Sequence, residues 1–90
     1  MNEPLDIRCK RLRFRSWHRG THEVDLLLGP FADQHLPGLS PAQLDRYEAL
    51  LAESDATLYD WITGRAAPPP EQDSDVLRLL MSFRFVPRPA

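Results

Sequence analysis

An all-α domain, a compact bundle of about five short helices, is the architecture this sequence predicts. Three observations lead there. Apolar residues recur three and four apart along most of the chain, and no segment alternates apolar and polar over a strand length. Capping and breaking residues divide the chain into five such stretches. Finally, 90 residues with 42% apolar and 27% charged side chains suit one globular domain with one core. A single domain over 1–90 is expected, its core spanning about 5–85.

Each element has its own local signal. Pro4 suits the first turn of a helix that runs from Leu5 to about Trp17, with Leu5, Cys9, Leu12 and Trp17 inward. Gly20 interrupts it. A second helix begins near Thr21, whose hydroxyl can cap it; Glu23 and Asp25 fall where carboxylates complement the helix dipole. Val24, Leu27, Leu28 and Phe31 form its stripe, and Pro30, which lacks an N–H, predicts a kink or break near 26–29. Ser40-Pro41-Ala42-Gln43 combines an N-cap serine, a first-turn proline and a capping-box glutamine. The third helix follows, with Leu44, Tyr47, Leu50 and Leu51 inward. Ser54-Asp55 caps a short fourth helix that buries Leu58, Trp61 and Ile62 and stops at Gly64. Residues 66–70, Ala-Ala-Pro-Pro-Pro, form a stiff extended connector. The last helix runs from about Gln72 to Phe83 with Val76, Leu77, Leu80 and Met81 inward; Pro87 and Pro89 mark a frayed tail at 86–90.

Several function classes are disfavoured. The densest apolar run, Leu26-Leu27-Leu28, is cut by Gly29-Pro30, so membrane insertion is not expected. The first residues show no secretory signal, and a lone cysteine, Cys9, fits a reducing compartment. No phosphate-binding loop, Ser/His/Asp order or paired-carboxylate motif supports enzyme chemistry. His18, His22 and Glu23 have spacing that one continuous helix could use for a metal, but Gly20 between the histidines argues for a helix boundary; no metal is expected. Cys9 falls on the apolar stripe and reads as a core thiol despite its neighbours Arg8 and Lys10.

The net charge of −2 hides a polarity: residues 1–19 carry +4, residues 20–75 carry −9, and residues 76–90 carry +3. The basic run Arg8, Lys10, Arg11, Arg13, Arg15 and Arg19 could neutralise phosphates, with Phe14 or Trp17 stacking on bases. It could equally be a solvated or partner-facing helix surface. The segment Arg19-Gly20-Thr21-His22-Glu23-Val24-Asp25 offers a bare backbone at Gly20, flanked by charges able to make charge-assisted hydrogen bonds across an interface.

At this segment the chain resembles the small FAD assembly factors of succinate dehydrogenase, the SdhE-type flavinylation factors. Their Arg-Gly-x-x-Glu signature is matched by Arg19-Gly20-Thr21-His22-Glu23. Further similarity follows in order at Pro30-Phe31, Leu39-Ser40, Leu50-Leu51 and Asp55-Ala56-Thr57-Leu58-Tyr59-Asp60-Trp61, so the resemblance covers about residues 8–85. It implies a five-helix bundle and a non-catalytic assembly factor. Such a factor binds the flavoprotein subunit of succinate dehydrogenase, and in some bacteria of fumarate reductase, and promotes autocatalytic covalent attachment of FAD. FAD is then carried by the partner, with none bound stably by the factor. The partner-binding residues it implies are Arg19, Gly20 and Glu23, with Asp25 beside them and Arg15 and Ser16 upstream on a stretch expected to be exposed. Leu58 and Trp61 also match, but their spacing assigns them to the core. His18 departs from the family, many bacterial members having a second arginine there. Alternative readings are a small nucleic-acid-binding module or an antitoxin-like regulatory module using the basic N-terminal helix. The expected location is the bacterial cytoplasm, because Glu3 and Asp6 precede the basic run whereas a mitochondrial presequence is acid-poor.

Overall fold

In the computed structural model, residues 3–83 are described. Helix α1 spans Leu5–Trp17, α2 His22–His35, α3 Pro41–Leu51, α4 Asp55–Ile62 and α5 Asp75–Ser82; a 3-10 turn, Leu36–Gly38, links α2 to α3. Among the described residues there is no strand. One core joins all five helices through Leu12, Val24, Leu28, Phe31, Leu44, Tyr47, Leu50, Leu58, Trp61 and Leu77. Helix α1 packs on α2 and α3, while α5 closes the bundle against α3 and α4. No helix among the described residues is long and apolar enough to cross a membrane.

Two start signals form as the sequence dictates. Ser40 Oγ accepts from Gln43 N at 3.2 Å while Gln43 Oε1 accepts from Ser40 N at 2.9 Å, a complete capping box. Ser54 Oγ accepts from Thr57 N at 3.2 Å, starting α4. The last helix starts later than expected, at Asp75 rather than Gln72, because Ser74 Oγ takes Leu77 N at 3.2 Å. Residues 72 and 73 instead fold back on Pro69, whose carbonyl accepts from both amides.

Three expectations are corrected. Thr21 occupies the N-cap position of α2, yet its hydroxyl makes no cap bond. Helix α2 is not broken at Pro30 but continues through it. The carbonyl deprived of a donor belongs to Leu26, which is 41% exposed, so water can satisfy it. Val24 and Leu28 before the proline and Phe31 and Ala32 after it bury into the same core, which holds the helix together. Leu5 is 51% exposed rather than inward; the buried positions of α1 are Leu12 and Ser16, flanked by half-buried Cys9 and Trp17. The tail expected at 86–90 lies outside the described residues.

Close approach of α1 and α2 depends on a glycine. A Cβ built on buried Gly29 would lie 2.3–2.6 Å from the indole carbons of Trp17. The indole Nε1 donates to Asp33 Oδ1 at 3.2 Å on the same side of α2. This packing fixes where α1 ends, and with it the turn that carries the Arg-Gly segment.

Candidate functional site

The turn between α1 and α2 is built from inside. His18 ends α1, its amide donating to Arg15 O at 3.4 Å, and Gly20 then reverses the chain with φ at +99°. That conformation strains any residue with a Cβ, although nothing lies within 4 Å of where one would stand. Asp25, one turn into α2, accepts from the Arg19 amide at 2.8 Å and staples the turn to the helix.

The Arg19 side chain points into the bundle. Its Nε donates to Asp55 Oδ1 at 2.8 Å, its Nη2 to Glu53 O at 2.6 Å, and its Nη1 to Leu51 O. The guanidinium thus ties the turn to the junction between α3 and α4. Arg19 and Asp55 are only 11% and 17% exposed at their side chains. Gly20 and Glu23, by contrast, are exposed, and the Glu23 side chain makes no hydrogen bond or ion pair among the described residues. The structure therefore brings Arg19, Gly20, Glu23 and Asp25 together at one turn, with two residues facing in and two facing out.

The upstream pair divides. Arg15 is half-buried on α1 with Nη1 3.8 Å from Glu48 Oε2. Ser16 is not exposed as expected; it is fully buried. Its hydroxyl donates to Leu12 O at 2.7 Å and accepts the Tyr47 hydroxyl at 2.6 Å. Its place on the α3-facing side of α1 makes it a core residue. Burial pushes the Tyr47 phenol well above its usual range, so the pair stays neutral.

Beside the turn lies an open cleft of about 490 Å³ between the start of α2 and the outer face of α4. Thr21, Glu23 and Val24 form one wall; Asp55, Ala56, Tyr59 and Asp60 form the other, and Arg65 stands at its end. Gly64, with φ at +79°, terminates α4 in a Schellman turn in which Arg65 N donates to Asp60 O at 2.8 Å and Gly64 N to Trp61 O at 3.2 Å. Sequence reading missed Tyr59, Asp60 and Arg65 as site residues. The signal was available: 55, 56, 59 and 60 share the face of α4 opposite Leu58, Trp61 and Ile62.

The basic run is largely consumed within the fold. Arg8 contacts Asp45 at 2.6 Å and Glu48 at 3.0 Å; Arg11 contacts Glu3 at 2.9 Å and Glu48 at 3.1 Å; Arg13 contacts Asp33 at 3.0 Å. Arg11 and Arg8 hold the Glu48 carboxyl below its usual range. The charge polarity of the sequence is thus met internally, α1 against α3 and α2, which lends no support to a nucleic-acid surface. His18, at the end of α1, stacks on Phe14 at 4.0 Å and its Nδ1 meets Phe14 O at 2.7 Å, while His22 opens the next helix. Among the described residues no three His, Cys, Asp or Glu side chains gather as metal ligands.

Comparison with known proteins gives this geometry a setting. Residues 10–84 match the family model Sdh5, described as flavinator of succinate dehydrogenase. The chain is 40% identical over 87 residues to the mitochondrial succinate dehydrogenase assembly factor 2 of Candida glabrata, covering 92% of this chain and 57% of that protein. It is 41% identical over 81 residues to assembly factor 2-A of Drosophila yakuba (88% and 50% covered). With assembly factor 2 of Meyerozyma guilliermondii it shares 42% identity over 82 residues (87% and 61% covered). The chain spans about half the length of the curated relatives it matches. These relatives correct the expected bacterial cytoplasmic location, since they are mitochondrial factors and point to mitochondria instead. The acidic residues near the start, on which that expectation rested, carry no such information when the relatives are so much longer.

Proposed function

The chain belongs to the family of flavinators of succinate dehydrogenase, and on that premise we propose that it binds the flavoprotein subunit of that enzyme and promotes covalent attachment of FAD. The observation that carries this is the family match over residues 10–84, which includes a turn whose Gly20 and Glu23 are left outward while Arg19 and Asp25 hold it rigid from within. Arg15, upstream on α1, lies beside Glu48 of α3; Ser16 belongs to the core.

The role is that of a non-catalytic assembly factor. The flavoprotein carries the FAD and makes its own bond to it. The factor favours the domain arrangement in which the reacting groups are near attack geometry, an effect able to remove several kcal/mol from a barrier. A rigid turn suits this task, because a partner that binds one arrangement preferentially shifts the population towards it only through differential contacts. Gly20 lets the partner's backbone approach closely, and Glu23 supplies an unspent carboxylate.

The test uses purified apo-flavoprotein and FAD, with covalent flavin read as in-gel fluorescence. Addition of this protein accelerates covalent flavin formation, and Glu23→Ala or Gly20→Val reduces the acceleration. Equal rates with and without the protein would overturn the proposal.

A further inference from the structure

We propose that the cleft between α2 and α4 is a receptor for an arginine-bearing segment of the partner, its guanidinium facing Glu23 and Asp60 while a neighbouring acidic side chain meets Arg65. This deepens the function proposed above and rests on it for the partner's identity.

Charge is left unspent at this cleft. Seven arginines among the described residues, Arg8, Arg11, Arg13, Arg15, Arg19, Arg46 and Arg78, stand within 4.0 Å of a carboxylate. Arg65 does not, and it stands at this cleft. The side chains of Glu23 and Asp60, on opposing walls, are likewise unpaired among the described residues. The third carboxylate, Asp55, is already held by Arg19.

Asp60 adds an independent sign. It lies in the last turn of α4, where the helix dipole disfavours a carboxylate. Among the described residues its side chain has no hydrogen bond or ion pair that offsets this. Between the charges, Val24, Ala56 and Tyr59 give an apolar lining along which an arginine stem can pack, with the Tyr59 ring available to its guanidinium. Arginine fits better than lysine because a planar fork can address two carboxylates at once. About 490 Å³ holds the side chain together with its flanking main chain. The cleft adjoins Gly20, so one extended segment can run from the turn into it.

Two measurements decide it. First, calorimetric affinity for the apo-flavoprotein is compared across variants: Asp60→Asn and Glu23→Gln each weaken binding about tenfold or more, whereas Asp6→Asn, on an exposed remote position of α1, does not. Asp60→Asn leaves the melting temperature equal or slightly raised, since it removes a carboxylate from a helix C-terminus. Wild-type affinity in both cleft variants overturns the proposal. Second, the 15N-labelled protein is titrated with acetyl-arginine amide and, separately, acetyl-glutamate amide. Saturable shifts at Glu23, Tyr59 and Asp60 with the arginine probe, abolished in Asp60→Asn, support the site, and the glutamate probe shifts Arg65 but not Glu23 or Asp60. If the wild type does not bind the flavoprotein, the assembly function fails and this titration alone decides the cleft: shifts there uphold its cation preference, and their absence overturns it.

Discussion

Replacing Arg19 with alanine separates two roles that the sequence alone leaves merged. If the guanidinium acts from within, its loss is first a loss of stability. Removing it leaves Asp55, 17% exposed, without its cation, and strips donors from the Leu51 and Glu53 carbonyls. A hydrogen bond to a charged group contributes about 1.5–3 kcal/mol, and breaking a buried ion pair costs about 3–5 kcal/mol. The carbonyls at the α3–α4 junction recover water, so the lower end applies: about 3 kcal/mol. In a domain of this size each kcal/mol moves Tm by roughly 4–8 °C, so Tm falls by about 12–24 °C. Arg19→Lys recovers only part of this, because one ammonium cannot span a carboxylate and two carbonyls. Adding Asp55→Ala to Arg19→Ala costs little more, since the two residues share one interaction. The assay is thermal unfolding by circular dichroism, paired with flavoprotein binding well below Tm. An Arg19→Ala protein that melts within about 2 °C of wild type while losing the partner would refute the reasoning and make Arg19 a direct contact.

Three further outcomes follow from the packing. Gly29→Ala gains about 1 kcal/mol of helix propensity but forces a methyl into the Trp17 ring, and overpacking of about 1–3 kcal/mol makes it net destabilising. In a Trp17→Ala background the same change becomes stabilising; urea midpoints of the four proteins show whether the sign reverses. Ser16→Ala strands the buried Tyr47 hydroxyl at a cost of about 1–3 kcal/mol, whereas Ser16→Ala with Tyr47→Phe is milder than the single change because no donor is left unsatisfied; guanidinium unfolding at constant slope tests the order. Glu48, held below the usual carboxylate range by Arg11 and Arg8, contributes stability that is present above about pH 4.3 and is lost as pH falls through its folded pKa. Glu48→Gln therefore flattens the decline of Tm between about pH 5 and 3. It does not abolish it, because Glu3 and Asp75 are lowered in the same direction.

Local signals carried much of the fold. Ser40 with Gln43, Ser54 and Gly64 act within a few residues of themselves, so their capping was legible without any knowledge of the rest of the chain. The stripes Leu44, Tyr47, Leu50, Leu51 and Leu58, Trp61, Ile62 were equally legible, because helical period alone decides which residues share a face. The break that Pro30 allowed for does not occur, for the complementary reason. Its local cost is real, but the core on both sides of it is contributed by other helices. Ser16 was misread because a lone serine on a basic helix looks solvated until Tyr47, 31 positions later, arrives opposite it.

For the site, sequence determined membership: residues 10–84 match the family model, and a glycine stands where the turn takes a positive φ. Tertiary structure decided direction. A side chain's chemistry is set by its residue type, but whether it is spent inside or offered outside depends on partners far along the chain. Arg19 finds its acceptors at positions 51, 53 and 55, whereas the Glu23 and Asp60 carboxylates find no donor among the described residues. Charges left over after folding are a property of the assembled bundle, because pairing depends on distances in space that sequence separation does not encode.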